Sequence, residues 1–499
     1  MTTHDETVPS VKRTALEKLL GVFTQVRAGE GTSAVLLTLN VFLLLTAYYV
    51  IKPLRDSMMA VMEGGPQYKS YLSAVMVVAL LGAVPAYARF AKRLPRNRLV
   101  VGVTLFFVSN LVLFSLAMAS ETLRTASIPL GPLAAIMPTA TVELLPVVFF
   151  LWVGIFNMMV VAQFWAFGND VYTEEQGKRL FPMLGIGASM GAVLGTGVVK
   201  AMAKQLETFE LFVLSAALLT VCAVLTQIVH ARETRAARTT RDEALPGKSR
   251  SPEEGAAATG NEPGKGQGAF EMVRKHRYLM YLAAFSMVFT LVNTNGEYMV
   301  SESVSQWVGA AVETHGAFES ESAHDSFVSQ KANAFYGDFY FFVNLLGAVL
   351  QMFVVSRLVR YAGMGPTFFV LPVIALMGAT AIALVPILAV VRLSKIAENS
   401  VDYSVNNTMR QVLWLPTTTA MKYQAKQAVD TFFVRMGDVG SAVMVAVLVG
   451  ALGLGIRAFA VTNVIVIVGW LVLARAILRE QKALSERRER GELQDRPAL

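Results

Sequence analysis

The sequence predicts an all-α polytopic membrane protein with twelve transmembrane helices in two six-helix halves, and three observations carry that prediction. The 499 residues are 54% hydrophobic and only 16% charged, and a mean hydropathy of +0.50 lies outside the range of chains that fold in water. Apolar stretches recur at a length of about 20 residues, which crosses a hydrocarbon core of about 30 Å as a helix. One polar segment divides these stretches six and six.

In chain order, residues 1–32 form a polar, amphipathic cytoplasmic segment without the apolar core and small-residue cleavage site of a signal peptide. The first half, 33–230, holds spans near 33–51, 70–88, 99–119, 142–167, 182–203 and 209–230. A linker over 231–277 follows. Its stretch from Glu233 to Gly268 is rich in Ala, Gly, Pro, Lys, Arg and Glu, and buries too little apolar surface to order itself. The second half, 278–476, holds spans near 278–297, 333–355, 366–384, 386–405, 429–450 and 456–476, and a charged tail occupies 477–499. Only Val385 and Pro386 separate the ninth span from the tenth, which is diluted by its own charges.

Basic residues set the orientation. Arg89, Lys92, Arg93, Arg96 and Arg98 lie on one side, with Lys178, Arg179, Arg357, Arg360, Arg410, Lys422 and Lys426. The positive-inside rule makes that side cytoplasmic, with both termini inside a cell inner membrane, whereas the loop 299–332 carries five acidic side chains against Lys331. The formal charge of +8 is then a matter of topology, and no nucleic-acid partner is expected. Six spans, a long cytoplasmic loop and six more spans is the layout of the major facilitator architecture, whose halves hold substrate between them at the bilayer midplane. The fourth span ends Trp165-Ala-Phe-Gly-Asn169 and the tenth Tyr403-Ser-Val-Asn-Asn407, a shared order that pairs Asn157 with Lys395.

Several functions are excluded. Cys222 is the only cysteine, so a disulfide framework and a thiolate metal cluster are both impossible, and the five histidines are scattered over termini and loops. No enzyme active site, metal or cofactor is expected. Gly185, Gly187, Gly191 and Gly195 have the wrong spacing for a dinucleotide loop and follow no strand; Gly187, Gly191 and Gly195 instead mark a close helix-packing face.

Charge inside a span is the functional signal, since an ionisable residue at bilayer depth costs at least about 2.5–3.5 kcal/mol and needs a partner or a watery path. In the tenth span, steps of 3, 4 and 4 put Arg392, Lys395, Asn399 and Tyr403 on one helical face, a stripe suited to an anion. Lys52, Arg55 and Asp56 close the first span, where Pro53 can break the helix and free carbonyls; they face substrate, or Arg55 and Asp56 pair while Lys52 snorkels. Glu297 ends the seventh span and either serves a coupling cation or an opposing lysine, or stands in periplasmic water. Asn157 and Gln163 bond either substrate or a neighbouring helix.

These residues sit within longer motifs. Gln163-Phe-Trp-Ala-Phe-Gly-Asn-Asp170, with Thr173, Glu174, Glu175, Lys178, Arg179, Phe181, Pro182, Leu184, Gly185, Gly187 and Ala188, resembles the signature of the ATP/ADP translocases of plastids and obligate intracellular bacteria. Leu54-Arg55-Asp56, Glu297, Gly337-Asp338-Phe339, Tyr403-Ser404, Arg410, Trp414, Pro416, Lys426, Asp430, Arg435 and Gly437 follow the same family's spacing. The resemblance implies a major-facilitator-like fold that exchanges ATP for ADP, or in some members moves other nucleotides with protons or exchanges NAD. It departs at Met58 and Ser301, where the family pattern has lysines.

A nucleotide triphosphate needs several cations, and its base needs an aromatic slot with amide partners. Lys52, Arg55, Arg392 and Lys395, with Asn399 on the same stripe, are the candidates for phosphate, and Asn157, Gln163 and Trp165 for the base. Asp56, Glu297, Asp338 and Glu398 are candidates for coupling or gating. The rival readings are proton-coupled movement of another organic anion, with Glu297, Asp338 or Glu398 as proton carrier, and a non-transporting membrane sensor or assembly partner.

Overall fold

A computed structural model describes residues 29–91, 96–135, 137–243, 269–418 and 425–490, with Thr14, Glu17, Val26, Arg27 and Met421. Most of the linker, the charged tail beyond 490, most of the amino-terminal segment and the basic positions Lys92, Arg93 and Lys422 lie outside them.

The described residues are almost entirely helical. The first group of helices is α1 (Gly31–Val61), α2 (Gly65–Ala91), α3 (Arg96–Ala119), α4 (Leu144–Val171), α5 (Glu174–Met202) and α6 (Thr208–Glu243). The second is α7 (Arg277–His315), α8 (Glu321–Ala362), α9 (Met364–Leu384), α10 (388–412), α11 (Lys426–Ala451) and α12 (Ile456–Glu489). Each predicted span falls on one of these. Ten are long and apolar enough to cross a membrane; α2 and α10 are not among them. In α10 the cause is visible, because Arg392, Lys395, Glu398 and Asp402 interrupt its apolar run. Single π turns interrupt α4 at Asn157–Val161 and α10 at Asp402–Asn406.

Each group builds its own core. Leu37, Phe107, Phe149, Phe156 and Phe212 pack together in the first, with rings of Phe107, Phe114, Phe149, Trp152 and Phe156 in mutual contact. Phe285, Phe289, Phe368 and Trp470 do the same in the second. The glycine face of α5 is realised as expected: a methyl group at Gly187 would come 2.7 Å from Thr38, and Gly191 and Gly195 lie against the backbone of Phe42 and Thr46 on α1. Close backbone approach replaces the hydrophobic drive that lipid does not supply. The second group repeats the device, with Gly437 of α11 pressed on Met287 of α7.

Four local expectations change. The loop expected over 299–332 is mostly helix: α7 continues to His315 and α8 begins at Glu321, because Val300, Val304 and Val308 recur every turn and are buried. Pro53 does not break α1, which runs through it to Val61. The first part of the expected linker is an extension of α6 to Glu243, pinned where Ser33 donates to Glu233 and Arg232 donates to Ser33. The connection from α3 to α4 contains strands, β1 (Ser127–Pro129) and β2 (Thr141–Glu143), paired antiparallel with Ile128 opposite Val142.

Candidate functional site

The charged residues at depth gather where the two groups meet. Arg55 and Asp56 of α1 pair at 2.8 Å, and Asp56, fully buried, also accepts a 2.6 Å bond from the Tyr340 hydroxyl of α8 and lies 3.2 Å from Lys69 Nζ of α2. Lys69 Nζ reaches on to Glu297 Oε2 of α7 at 3.3 Å, and the other oxygen of Glu297 accepts from Asn399 of α10 at 3.2 Å. One turn away, Lys395 is completely buried and donates to Glu398 at 2.7 Å and to Asn293 at 3.3 Å. Gly296 makes that position possible, since a Cβ there would stand 2.5 Å from Lys395 Nζ.

Lys52 lies at the edge of this network. Its Nζ donates to the Tyr403 hydroxyl at 2.9 Å and sits 4.4 Å from the centre of the Tyr340 ring, an arrangement that holds a cation by ring quadrupole as well as hydrogen bond. Tyr48 stacks on Phe156 of α4 at 6.1 Å, so aromatic surface flanks the cations on the α1 side. Four cations thus meet three carboxylates across α1, α2, α7, α8 and α10.

A second charge cluster stands apart from the first. Lys200, in the last turn of α5, lies 2.7 Å from Asp338 Oδ1 of α8, and Arg392 of α10 is in direct contact with Asp338 Oδ2. The helical stripe drawn from the sequence therefore divides: Lys395 and Asn399 point into the buried network, while Arg392 takes a separate partner and keeps a third of its side chain exposed. On α4, Gln163 is buried with its Nε2 unpartnered and Trp165 contacts Phe164 and Phe181 edge-on; Asn157 is exposed on the π turn. No hydrogen bond among the described residues joins these three to the cations. Met58 and Ser301 are buried.

Lys69, Lys200 and Tyr340 were missed in the sequence. Lys69 sits one residue before the apolar run of the second span and Lys200 at the end of the fifth, where a lysine is expected to snorkel. Tyr340 had a signal, directly after the Gly337-Asp338-Phe339 motif.

Outside the charge clusters, further ties between the groups lie at the end of the bundle opposite Arg89, Arg179 and Arg357. There Gln330 bonds Glu207 at 3.2 Å, Asn333 bonds Thr208 at 3.0 Å, and Arg124 pairs with Asp325 at 3.0 Å. At the basic end, clusters close within a group. Arg410 and Lys426 share Asp430. Thr173 caps α5 through Gln176, and Arg179 and Gln176 both bond Glu30 at the start of α1. Burial alone would raise the Glu30 pKa, but the bonds from Arg179, Gln176 and the Arg27 amide outweigh it and hold the carboxyl at about 2.

Solved structures of membrane transporters share this helical fold. A peptide transporter POT mutant in complex with alafosfalin matches with a TM-score of 0.55 at 12% identity, covering 95% of this chain and 99% of that one. A mutant of the nucleoside transporter NupG matches with a TM-score of 0.53 at 14% identity, over 90% and 99%. No curated protein sequence matches the chain. The family model of the TLC ATP/ADP transporter matches residues 10–306, more than half of the chain, and the protein belongs to that family. The matched segment includes Arg55, Asp56, the Gln163–Asp170 motif and Glu297, and ends before Gly337.

Proposed function

We propose that the chain crosses an inner membrane twelve times, in two six-helix halves with both termini cytoplasmic, and exchanges ATP for ADP by rocking the halves about the buried cation network. The observation that carries this is Lys395, a lysine with no exposed surface held between α7 and α10 beside three other cations. Its burial costs insertion energy, which a role toward an anionic substrate accounts for. Lys52, Arg55, Lys69 and Lys395 supply phosphate partners, Asn399 orients them through Glu297, and Gln163 with its unpartnered amide, Asn157 and Trp165 hold the base. Lys69 carries from α2 the buried cation that Ser301 lacks. Arg392 and Asp338 act in gating with Lys200.

With the ties between halves at the end opposite the basic face, the arrangement is closed there, and substrate enters from the basic, cytoplasmic side. Phosphate oxygens draw Lys395 and Arg55 away from Glu398 and Asp56, and the released carboxylates loosen the contact between α1, α7 and α8. Differential binding of phosphate to the two arrangements drives the change. Counterflow in proteoliposomes tests the reading: uptake of labelled ATP that requires internal ADP supports exchange. Uptake driven by a pH gradient supports instead proton coupling through Glu297, Asp338 or Glu398, and no flux with any nucleotide overturns both nucleotide readings.

A further inference from the structure

We propose that an anionic diacyl phospholipid binds on the membrane face of α5, α8 and α10, its two acyl chains in two apolar grooves and its phosphate between Lys200 and Arg392. One groove, of about 620 Å³, runs between α8 and α10 along Phe342, Leu345, Val349 and Leu393, and Arg392 is the one charged residue lining it among the described residues. The other, of about 720 Å³, runs between α5 and α8 along Met190, Leu194, Gly197 and Phe341. Leu345 lines both, so the two grooves converge on one point, as the chains of one lipid do.

The charge at their shared end is complementary to a phosphate. Lys200 Nζ stands over Phe341 and Phe342 at 4.6 and 4.4 Å from the ring centres, directly above the grooves those rings line. It and Arg392 share the single carboxylate of Asp338, which leaves one positive charge unanswered on side chains that are 38% and 33% exposed. Two cations held on one carboxylate retain donors for a phosphate diester. A zwitterionic headgroup would instead set its own cation beside Lys200.

The depth is also right for a lipid. Lys200 lies in the last turn of α5 and Arg392 one turn inside the start of α10, near the polar interface of the bilayer. From that level Phe342 to Val349 and Ala389 to Ile396 run in parallel toward the basic end, so the apolar walls continue into the hydrocarbon beneath the cations. Because α5 belongs to the first group and α8 and α10 to the second, one bound lipid bridges the halves and stabilises their packed arrangement. The Lys200–Asp338–Arg392 contact assigned to gating then also faces the membrane, and Lys395 alone of the stripe's two cations serves the interior.

The test is lipid retention by the purified full-length protein in neutral detergent, offered equal amounts of dioleoyl phosphatidylglycerol and phosphatidylcholine and read by native mass spectrometry. The wild type is expected to retain phosphatidylglycerol preferentially, and Lys200→Gln to lose about fivefold of that preference, the factor equal to about 1 kcal/mol per basic residue at an anionic surface. Lys200→Arg keeps the preference, and Leu345→Trp reduces retention of both lipids. Size-exclusion profiles confirm that the Lys200 variants are folded. Equal retention of the two lipids, or an unchanged preference in Lys200→Gln, overturns the proposal. So does displacement of phosphatidylglycerol by saturating ATP, which would assign these cations to the nucleotide. Failure of the counterflow experiment leaves this one standing.

Discussion

Replacing Lys395 separates a structural from a substrate role when it is combined with replacement of Glu398. The pair is 2.7 Å apart with the lysine fully buried, a separation worth about 6 kcal/mol of attraction at an effective dielectric of about 20. Desolvation consumes part of that, and removing one partner of such a buried pair costs about 3–5 kcal/mol because the other charge is stranded. Lys395→Gln should therefore destabilise the detergent-solubilised protein by that amount, and the double variant Lys395→Gln with Glu398→Gln, which buries two neutral amides side by side, should recover most of it. Transport follows a different pattern. A cation donating to phosphate contributes about 1.5–3 kcal/mol, so both the single and the double variant should bind ATP about 10- to 150-fold more weakly. Thermal unfolding and ATP titration on the same preparations give both quantities. A double variant that regains stability and also binds ATP within about twofold of the wild type (a difference below about 0.5 kcal/mol) would refute the substrate role and leave Lys395 as the counter-ion of Glu398.

Gly296→Ala puts a Cβ 2.5 Å from Lys395 Nζ; the overpacking costs about 1–3 kcal/mol, and exchange activity should fall sharply while membrane insertion, read by fractionation, is unchanged. Cysteines at Glu207 and Gln330, whose side chains bond at 3.2 Å across the groups, in a Cys222→Ser background, should cross-link with a short bismaleimide and stop counterflow; full flux in the cross-linked protein would sink the rocking motion. Glu30, held at about 2 against 4.5 for the free carboxyl, contributes stability that is fully present above pH 4.5 and is lost as pH falls through about 2. The stability difference between wild type and Glu30→Gln should accordingly be largest at neutral pH and shrink below pH 4.5, as measured by thermal unfolding over that range.

The sequence displays the helices because bilayer length is written into apolar runs, and the glycine face of α5 because close packing in lipid requires small residues at one spacing. It could not display which charges meet. Asp56 and Tyr340 are 284 residues apart, and helical periodicity, which knows only one helix at a time, put Arg392 and Lys395 on a common stripe. Small differences in azimuth then sent Arg392 to Asp338 and Lys395 to Glu398. Lys69 and Lys200 were overlooked because both stand at the ends of apolar runs, where a lysine normally reaches water. The helical extension of α7 was legible in Val300, Val304 and Val308, but Glu302 among them and the run of acidic residues from Glu313 to Asp325 after them read as solvent-exposed loop.

The pairing order along the chain bears on how the protein is made. Asp56 has Arg55 beside it; Lys69 pairs with Asp56, Glu297 with Lys69, Asp338 with Lys200, and Arg392 with Asp338, in each case a partner nearer the amino terminus. Lys395 brings its own counter-ion three residues on, so α10 carries a neutralised pair from the moment it leaves the ribosome. Lys200 must wait for Asp338, yet it sits in the last turn of its helix, within reach of the interface. Synthesised from the amino terminus, each of these charges finds a neighbour or water already waiting when it enters the bilayer.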